Sequence, residues 1–191
     1  MRTFIAVDFP PAILEKIEAI VDYFKKNVPD HALKWVEIVN LHLTIKFIGE
    51  IDPGKLDQVK SILAGSLEGH NAFEIEVAGL GMYPNQRIPR VIWLGITGGE
   101  TLGKIYTTLD RRFSELGIKS ESRAFTPHLT IARVRKGTDR KTAQVIGETL
   151  AQFKVDSLGT VTIDRVHLYQ SVLTPSGPIY TNLFAATLNQ V

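Results

Sequence analysis

The stretch that decides the fold occurs twice: His42-Leu43-Thr44-Ile45 returns as His128-Leu129-Thr130-Ile131. Polar and apolar residues alternate in both copies, which is the pattern of a β-strand with one buried face. The alternation predicts that each histidine shares a face with the threonine two positions later, while the leucine and the isoleucine point into a core. Each copy therefore presents an imidazole and a hydroxyl side by side.

The order of predicted elements around the two tetrapeptides also repeats. A strand, a helix, a short strand, the motif strand, a second helix and a further strand occur in residues 1–89 and again in residues 90–191. A repeated order at a fixed spacing indicates an internal duplication. We expect one bilobal α+β domain over residues 1–191, in which two pseudo-symmetric lobes of mostly antiparallel sheets, with helices on their outer faces, surround a central cleft.

Composition limits the functional classes. The 191 residues contain no cysteine, which excludes disulfides, thiolate metal sites and a cysteine nucleophile. The net charge of only +2 gives no overall basic field for duplex nucleic acid, so a polyanion must be held by local contacts. The apolar runs are too short to cross a bilayer, and no signal peptide is predicted. We expect a cytoplasmic monomer that does not bind membranes.

Two His–Thr pairs that line one cleft suit displacement at phosphorus. In-line attack needs a base beside the entering oxygen and an acid beside the leaving oxygen, and imidazoles with pKa values near ~6.5 can take both roles. The hydroxyls of Thr44 and Thr130 can donate to the non-bridging oxygens, where charge develops. Neither motif has a carboxylate or a third histidine at ligand spacing. The predicted catalytic set is therefore His42, His128, Thr44 and Thr130, with no metal and no cofactor.

Three basic residues are candidates for holding the substrate. Strict alternation places Lys46 on the face of His42, where it can contact a phosphate, although a solvated lysine at a strand end fits the sequence as well. Alternation turns Arg133 away from His128 unless a bulge or the strand end redirects it. Arg90 is a further candidate, and the basic run that begins at Arg133 is either a track for an RNA backbone or a solvated loop.

Other aromatic and histidine residues have less specific patterns. Trp35, Phe125 and Tyr169 are able to stack on a terminal base, but aromatic residues beside apolar runs usually belong to the core. His31, His70 and His167 have no partner motif, and we interpret them as surface or structural residues.

The paired tetrapeptides resemble the His-x-Thr signature of the 2H phosphoesterases. In particular, the chain is similar to the bacterial and archaeal RNA 2',3'-cyclic phosphodiesterases, also called 2'-5' RNA ligases. The similarity extends to residues 2–7, 35–50, 89–93 and 171–180. The resemblance implies hydrolysis of RNA 3' ends that carry a 2',3'-cyclic phosphate, tRNA halves among them, to 2'-phosphomonoesters. It also implies that His42 is the proton donor and that His128 is the acceptor for water.

Three alternatives stay open at the level of sequence. The same residues can run the reaction backward and join tRNA halves through a 2'-5' bond, because acid–base catalysis is microscopically reversible. A related phosphodiesterase can act on small cyclic nucleotides. A non-catalytic RNA-end binder can keep the fold, but the binding of a phosphate needs no matched acid and base.

Overall fold

The computed structural model describes residues 1–121, 124–175 and 177–190. Within these ranges, the strands and helices follow one another in this order: β1 Arg2–Val7, α1 Pro11–Asn27, β2 Leu33–Trp35, β3 Leu43–Glu50, α2 Leu56–Leu67, β4 Phe73–Tyr83, β5 Val91–Thr97, α3 Glu100–Glu115, β6 His128–Val134, α4 Arg140–Leu150, β7 Gly159–Ile163, β8 Arg165–Thr174 and β9 Gly177–Thr187. Short 3-10 turns lie at Asp30–Ala32, Ile38–Asn40 and Pro53–Lys55.

The strands form two antiparallel sheets. Sheet A has the order β3-β1-β8-β9, and sheet B has the order β2-β6-β5-β4-β7. The helices are amphipathic and bury their apolar stripes in one continuous core, because only one face of each helix carries large apolar residues. The α+β class with antiparallel sheets, predicted from the sequence, is confirmed.

The two halves of the sequence exchange strands. From the first half, β2 and β4 join sheet B, whereas β8 and β9 from the second half continue sheet A beyond β1. Each sheet therefore contains strands of both halves, and main-chain hydrogen bonds connect the halves directly. The boundary between residues 89 and 90 therefore divides the repeated order of elements in the sequence, but it does not divide the fold, because each sheet contains strands from both sides of it.

The register of β1 and β3 contains an extra residue just after the first motif. Thr44 pairs with Ala6, and Lys46 pairs with Ile5, so that Ile45 has no residue opposite it. Two residues that face the space of one form a β-bulge, which interrupts the alternation of side chains along the strand. The residues that follow Ile45 consequently change faces.

The same bulge recurs after the second motif. Thr130 pairs with Trp93, and Ala132 pairs with Ile92, so that Ile131 is the extra residue. Bulges at equivalent positions of two strands are a shared feature of backbone geometry that a chance tetrapeptide match would not produce. This agreement supports the internal duplication.

The first bulge turns Lys46 into the protein interior. Its side chain has 0% relative exposure, and its ammonium donates a 2.6 Å hydrogen bond to Asp110 of α3. The prediction that Lys46 shares the face of His42 is therefore wrong, because strict alternation ends at Thr44. Lys46 connects β3 to its covering helix and does not lie where it could touch a substrate.

Strand β4 is longer than the sequence indicates. The run from residue 79 to residue 89 predicts a loop, but β4 continues to Tyr83. Gly79 has a φ of 81° and lies at a bulge between Val77 and Leu80, which accounts for a glycine in the middle of a strand. Gly81 lets the indole of Trp93 lie directly on the strand, because a Cβ at this position would overlap the ring.

In the part of the chain that the structure describes, none of the helices is long and apolar enough to cross a bilayer. The monomeric state and the cytoplasmic location stay predictions.

Lys46→Met tests the interior role of this lysine. The change leaves the Asp110 carboxylate without its partner, and removal of one member of a buried ion pair costs about 3–5 kcal/mol. Asp110 retains 19% exposure, so we expect a loss of about 2–3 kcal/mol in the free energy of unfolding, measured with urea. The activity of the folded variant should stay within several-fold of wild type.

Lys25→Met is the matched control, because Lys25 forms an exposed ion pair with Asp22 on α1. This control should change stability by less than about 1 kcal/mol. A Lys46→Met variant of normal stability and lost activity would return Lys46 to the substrate site.

Candidate active site

His42 lies directly before β3, just after the turn Ile38–Asn40. Its Nδ1 is 2.8 Å from the carbonyl oxygen of Asn40. Since a carbonyl oxygen only accepts, Nδ1 carries the hydrogen of the neutral ring. Nε2 is then the atom that remains for proton transfer, and the hydrogen bond fixes the orientation of the ring.

Two aromatic rings enclose His42. The centroid of Phe4 lies 4.7 Å from that of the imidazole, and Tyr180 contacts the imidazole edge-on at 5.1 Å. Burial lowers the pKa of His42, while the hydrogen bond to Asn40 and the charge of Asp8 act in the opposite direction with smaller effect. The unliganded site thus favours a neutral imidazole, and a bound anion would favour the protonated form.

His128 has the corresponding geometry at the start of β6. Its Nδ1 is 2.8 Å from the carbonyl oxygen of Thr126, which again lies two residues earlier. Tyr83 contacts this imidazole edge-on with a centroid separation of 5.2 Å, and Trp93 lies 5.9 Å away. Both motifs therefore hold a histidine by the same backbone contact at Nδ1 and leave Nε2 for proton transfer.

Thr44 and Thr130 lie on the inner faces of the two sheets, away from the helices. Each is half-buried, whereas Leu43 and Leu129 beside them are fully buried in the core. The predicted alternation within each tetrapeptide is thus confirmed up to the threonine. Each hydroxyl lies on the exposed side of its strand.

The two motif strands lie near each other. Strands β3 and β6 contact each other where the sheets meet. Burial raises the pKa of the Tyr180 phenol on sheet A, and the charge of Arg133 on sheet B opposes that rise with smaller effect. The arrangement of His42 and His128 on opposite sides of one phosphate stays a prediction.

The second bulge turns Arg133 out of the core, to the face of Thr130. Arg133 is exposed and pairs with Val91, and the bulge at Ile131 is the kind of redirection that strict alternation alone does not provide. Arg90 is also exposed, and its backbone N–H donates a 2.7 Å hydrogen bond to the carbonyl of Tyr83. The roles of Arg133 and Arg90 in binding remain predictions.

Four aromatic residues of the cleft were absent from the sequence prediction: Phe4, Phe47, Tyr83 and Tyr180. Alternation continued beyond Thr44 would place Phe47 in the core, but Phe47 is 53% exposed because the first bulge turns it to the face of Thr44. Its ring lies 6.0 Å from Phe4. An alignment of the two copies would have identified Phe47 as the counterpart of Arg133, because each lies five residues after a motif histidine.

The other aromatic candidates have structural contacts. Trp35 donates a 2.5 Å hydrogen bond to Asp30, and Phe125 stacks on Tyr106. Tyr169 stacks on Phe4 and donates to Asp8, so that it supports the inner face of sheet A.

The remaining histidines lie outside the motif pair. His31 is exposed and His70 is half-buried. His167 contacts the side chains of Asn182 and Asp8. Among the residues that the structure describes, no three or more histidine, aspartate and glutamate side chains are grouped to hold a metal ion.

Gly81→Ala tests how strongly the site depends on the position of Trp93. The new Cβ must displace the indole that borders His128. We expect a fall in kcat of about tenfold to a hundredfold, because small displacements of catalytic groups have effects of this size. Tryptophan fluorescence should change at the same time. Gly103→Ala on the open surface of α3 is the control, and an unchanged Gly81→Ala enzyme would refute the dependence.

Comparison with known proteins agrees with this geometry. An RNA 2',3'-cyclic phosphodiesterase of Methanothermobacter thermautotrophicus is 39% identical over 184 residues, which cover 96% of each chain. One from Thermotoga maritima is 33% identical over 96% of this chain and 94% of its own. TT0787 of Thermus thermophilus superposes with a TM-score of 0.77 at 26% identity, covering 100% of this chain and 99% of its own. E. coli LigT complexed with NADP+ superposes with a TM-score of 0.76 at 26% identity, covering 99% of this chain and 98% of its own.

The model of the 2'-5' RNA ligase superfamily matches residues 9–173. The chain therefore belongs to this superfamily, as its paired motifs predicted.

Proposed function

We propose that the protein hydrolyses 2',3'-cyclic phosphates at RNA 3' ends to 2'-phosphomonoesters, without a metal, with His42 as proton donor and His128 as proton acceptor. The observation that carries the proposal is the duplicated site, in which each imidazole is fixed through Nδ1 and keeps Nε2 for proton transfer. The names of the relatives, which are RNA 2',3'-cyclic phosphodiesterases, support the substrate class.

The proposed reaction is one in-line displacement. Nε2 of His128 removes a proton from water as the water oxygen forms a bond to phosphorus. The bond between phosphorus and the 3'-oxygen breaks, and Nε2 of His42 gives its proton to that oxygen. The products are a 2'-phosphate and a 3'-hydroxyl, and proton exchange between the two histidines and solvent restores the enzyme.

The neighbouring groups suit these roles. The hydroxyls of Thr44 and Thr130 would donate to the non-bridging oxygens as charge develops, and Arg133 would add a positive charge. The exposed ring of Phe47 offers a stacking surface for the terminal base.

The environments of the two histidines support their assignment. His42 is enclosed between Phe4 and Tyr180, whereas His128 is bordered by Tyr83 and Trp93. Burial lowers the pKa of His42, which makes its protonated form a stronger acid. The negative cyclic phosphate would offset this by favouring protonation when the substrate binds.

His42→Ala and His128→Ala should each lower kcat by about 10²–10⁴-fold, because each removes a positioned proton-transfer group. Binding of a 2'-phosphorylated product should change by only several-fold. A substrate with a better leaving group should rescue His42→Ala and leave His128→Ala impaired, since only the task of the acid becomes easier. Rescue of the His128 variant instead would reverse the roles.

The dependence of rate on pH is part of the same test. The rate should be bell-shaped, with the acidic limb reporting the base and the alkaline limb the acid, as values of the coupled pair. Because burial lowers the pKa of His42 in the free enzyme, the alkaline limb of kcat/KM should lie at a lower pH than that of kcat, where bound phosphate favours the protonated ring. Coincident limbs would contradict this coupling.

Chelation tests the absence of a metal from the mechanism. Activity on a cyclic-phosphate-ended oligonucleotide should survive dialysis against excess EDTA, because two imidazoles and two hydroxyls supply the acid, the base and the charge stabilisation. Loss of turnover that a divalent ion restores would favour metal-assisted hydrolysis. In the same assay, a longer product after addition of a 5'-hydroxyl RNA would reveal 2'-5' ligation.

A further inference from the structure

Asp8 is the residue that the strand register places opposite His42. The last pair in the register of β1 and β3 is Val7 with Leu43, so the next residues to face each other are Asp8 and His42. Facing residues of antiparallel strands point to the same side of the sheet, with Cβ atoms about 4.5–5.5 Å apart. The backbone therefore brings Asp8 and His42 together as neighbours on the inner face of sheet A.

Tyr169 fixes the position of the Asp8 carboxylate. Its hydroxyl donates a 2.6 Å hydrogen bond to Oδ2 of Asp8. The ring of Tyr169 stacks on Phe4 with a centroid separation of 5.4 Å, and Phe4 in turn packs on His42 at 4.7 Å. The carboxylate and the imidazole are thus anchored to the same aromatic stack, one through a hydrogen bond and the other through ring contact.

His167 lies beside Asp8 without neutralising it. Nδ1 of this histidine is 2.7 Å from the side-chain amide nitrogen of Asn182. Since an amide nitrogen only donates, Nδ1 accepts, and the hydrogen of the neutral ring is on Nε2, 3.6 Å from the Asp8 carboxylate. In the part of the chain that the structure describes, no lysine or arginine forms an ion pair with Asp8. Its negative charge is therefore available to a protonated His42.

The titratable side chains around His42 come from three elements. Asp8 follows β1, Tyr169 belongs to β8 and Tyr180 belongs to β9. Both phenols are neutral, because burial raises the pKa of each, so that only Asp8 of these three carries a negative charge. Burial lowers the pKa of His42, and the Asp8 charge opposes this fall together with the hydrogen bond to Asn40.

The corresponding position beside His128 has no side chain. In the register of β5 and β6, Gly95 lies opposite His128, as Asp8 lies opposite His42. A Cβ at Gly95 would lie 2.5 Å from the carbonyl oxygen of Ala78, which leaves no room for a larger residue. The duplicated backbone thus places a carboxylate beside one motif histidine and excludes it from the same position beside the other.

We propose that Asp8 is a positioning residue that holds the proton on His42, and that Gly95 at the equivalent place leaves His128 free to act as the base. This inference rests on the proposed function for the two tasks. A neighbouring carboxylate stabilises a protonated imidazole, whereas a ring without such a neighbour releases its proton more readily. The unlike neighbours therefore give direction to two histidines that their motifs hold in the same way.

Asp8→Asn tests the proposal, because asparagine keeps the shape of the side chain and can still accept the hydrogen bond of Tyr169. An NMR titration of the histidine rings should show a lower pKa for His42 in the variant and the same titration of His128 in both proteins. The alkaline limb of kcat should move to lower pH, so that kcat near pH 8 falls about tenfold. On the acidic side, where His42 is protonated in both proteins, the two rates should converge.

Asp164→Asn is the matched control, because Asp164 lines the same surface cavity as Asp8 and is similarly exposed, at 48% against 45%. Asp164 belongs to the link between β7 and β8, where it lies 3.9 Å from the guanidinium of Arg165. This variant should titrate and turn over as wild type does. Asp8→Glu, which restores the charge on a longer side chain, should return the alkaline limb toward its wild-type position.

An Asp8→Asn variant in which His42 titrates as in wild type would overturn the proposal. A fall in kcat that is equal at every pH would overturn it as well, since a merely structural role has that signature. Failure of the proposed function gives a different result. In that case wild type leaves cyclic phosphate ends intact, while the NMR comparison still decides whether Asp8 holds the proton on His42.

Discussion

The extra residue that follows each motif threonine determines which side chains share the face of the motif histidine. The bulges at Ile45 and Ile131 keep the histidine and the threonine on the inner face, and they then invert the alternation, so that the residue five positions after each histidine also turns inward. Without the first bulge, Phe47 would enter the core and the charged Lys46 would face the substrate. With it, Lys46 is buried and requires Asp110 of α3 as its partner, since a buried ammonium without a counter-ion is strongly unfavourable. The bulge at Ile45 therefore both brings Phe47 to the face of Thr44 and joins β3 to α3 through the Lys46–Asp110 pair.

Strand exchange gives this site a rigid frame. Only β1 separates the motif strand β3 from β8 of the second half, and the motif strand β6 pairs directly with β2 of the first half. The histidines are held by hydrogen bonds to carbonyls of their own approach segments, at Asn40 and Thr126. A site built on paired strands keeps the separation of acid and base more constant than a site on loops would.

Several features of the fold and of the site were readable from the sequence, and others were not. The period of two within each tetrapeptide predicted the faces of His42, Thr44, His128 and Thr130, because these residues precede the bulge. The position of Lys46 was not predictable, since a bulge depends on the partner strand and not on local preference. The sequence pattern predicts that β4 ends before Gly79, because Gly79 and Gly81 are typical of a turn. In the structure, Gly79 lies at a bulge within the strand, and Gly81 leaves room for the indole of Trp93. Tyr180 could not be assigned to the site, as its contact with His42 depends on a hairpin more than a hundred residues away.

A duplicated site also raises the question of how two equivalent histidines would acquire the opposite tasks that we propose for them. Both motifs impose the same tautomer, so the difference must come from residues outside them. His42 is enclosed by Phe4 and by Tyr180 from the last hairpin, and burial lowers its pKa, whereas His128 is bordered by Tyr83 and Trp93. The positions five residues after the histidines have diverged to Phe47 and Arg133, one suited to a base and the other to a phosphate. Under the proposed function, the symmetric backbone would supply two proton-transfer groups. The unmatched aromatic and basic neighbours would then give the site a direction along which a single RNA end is oriented.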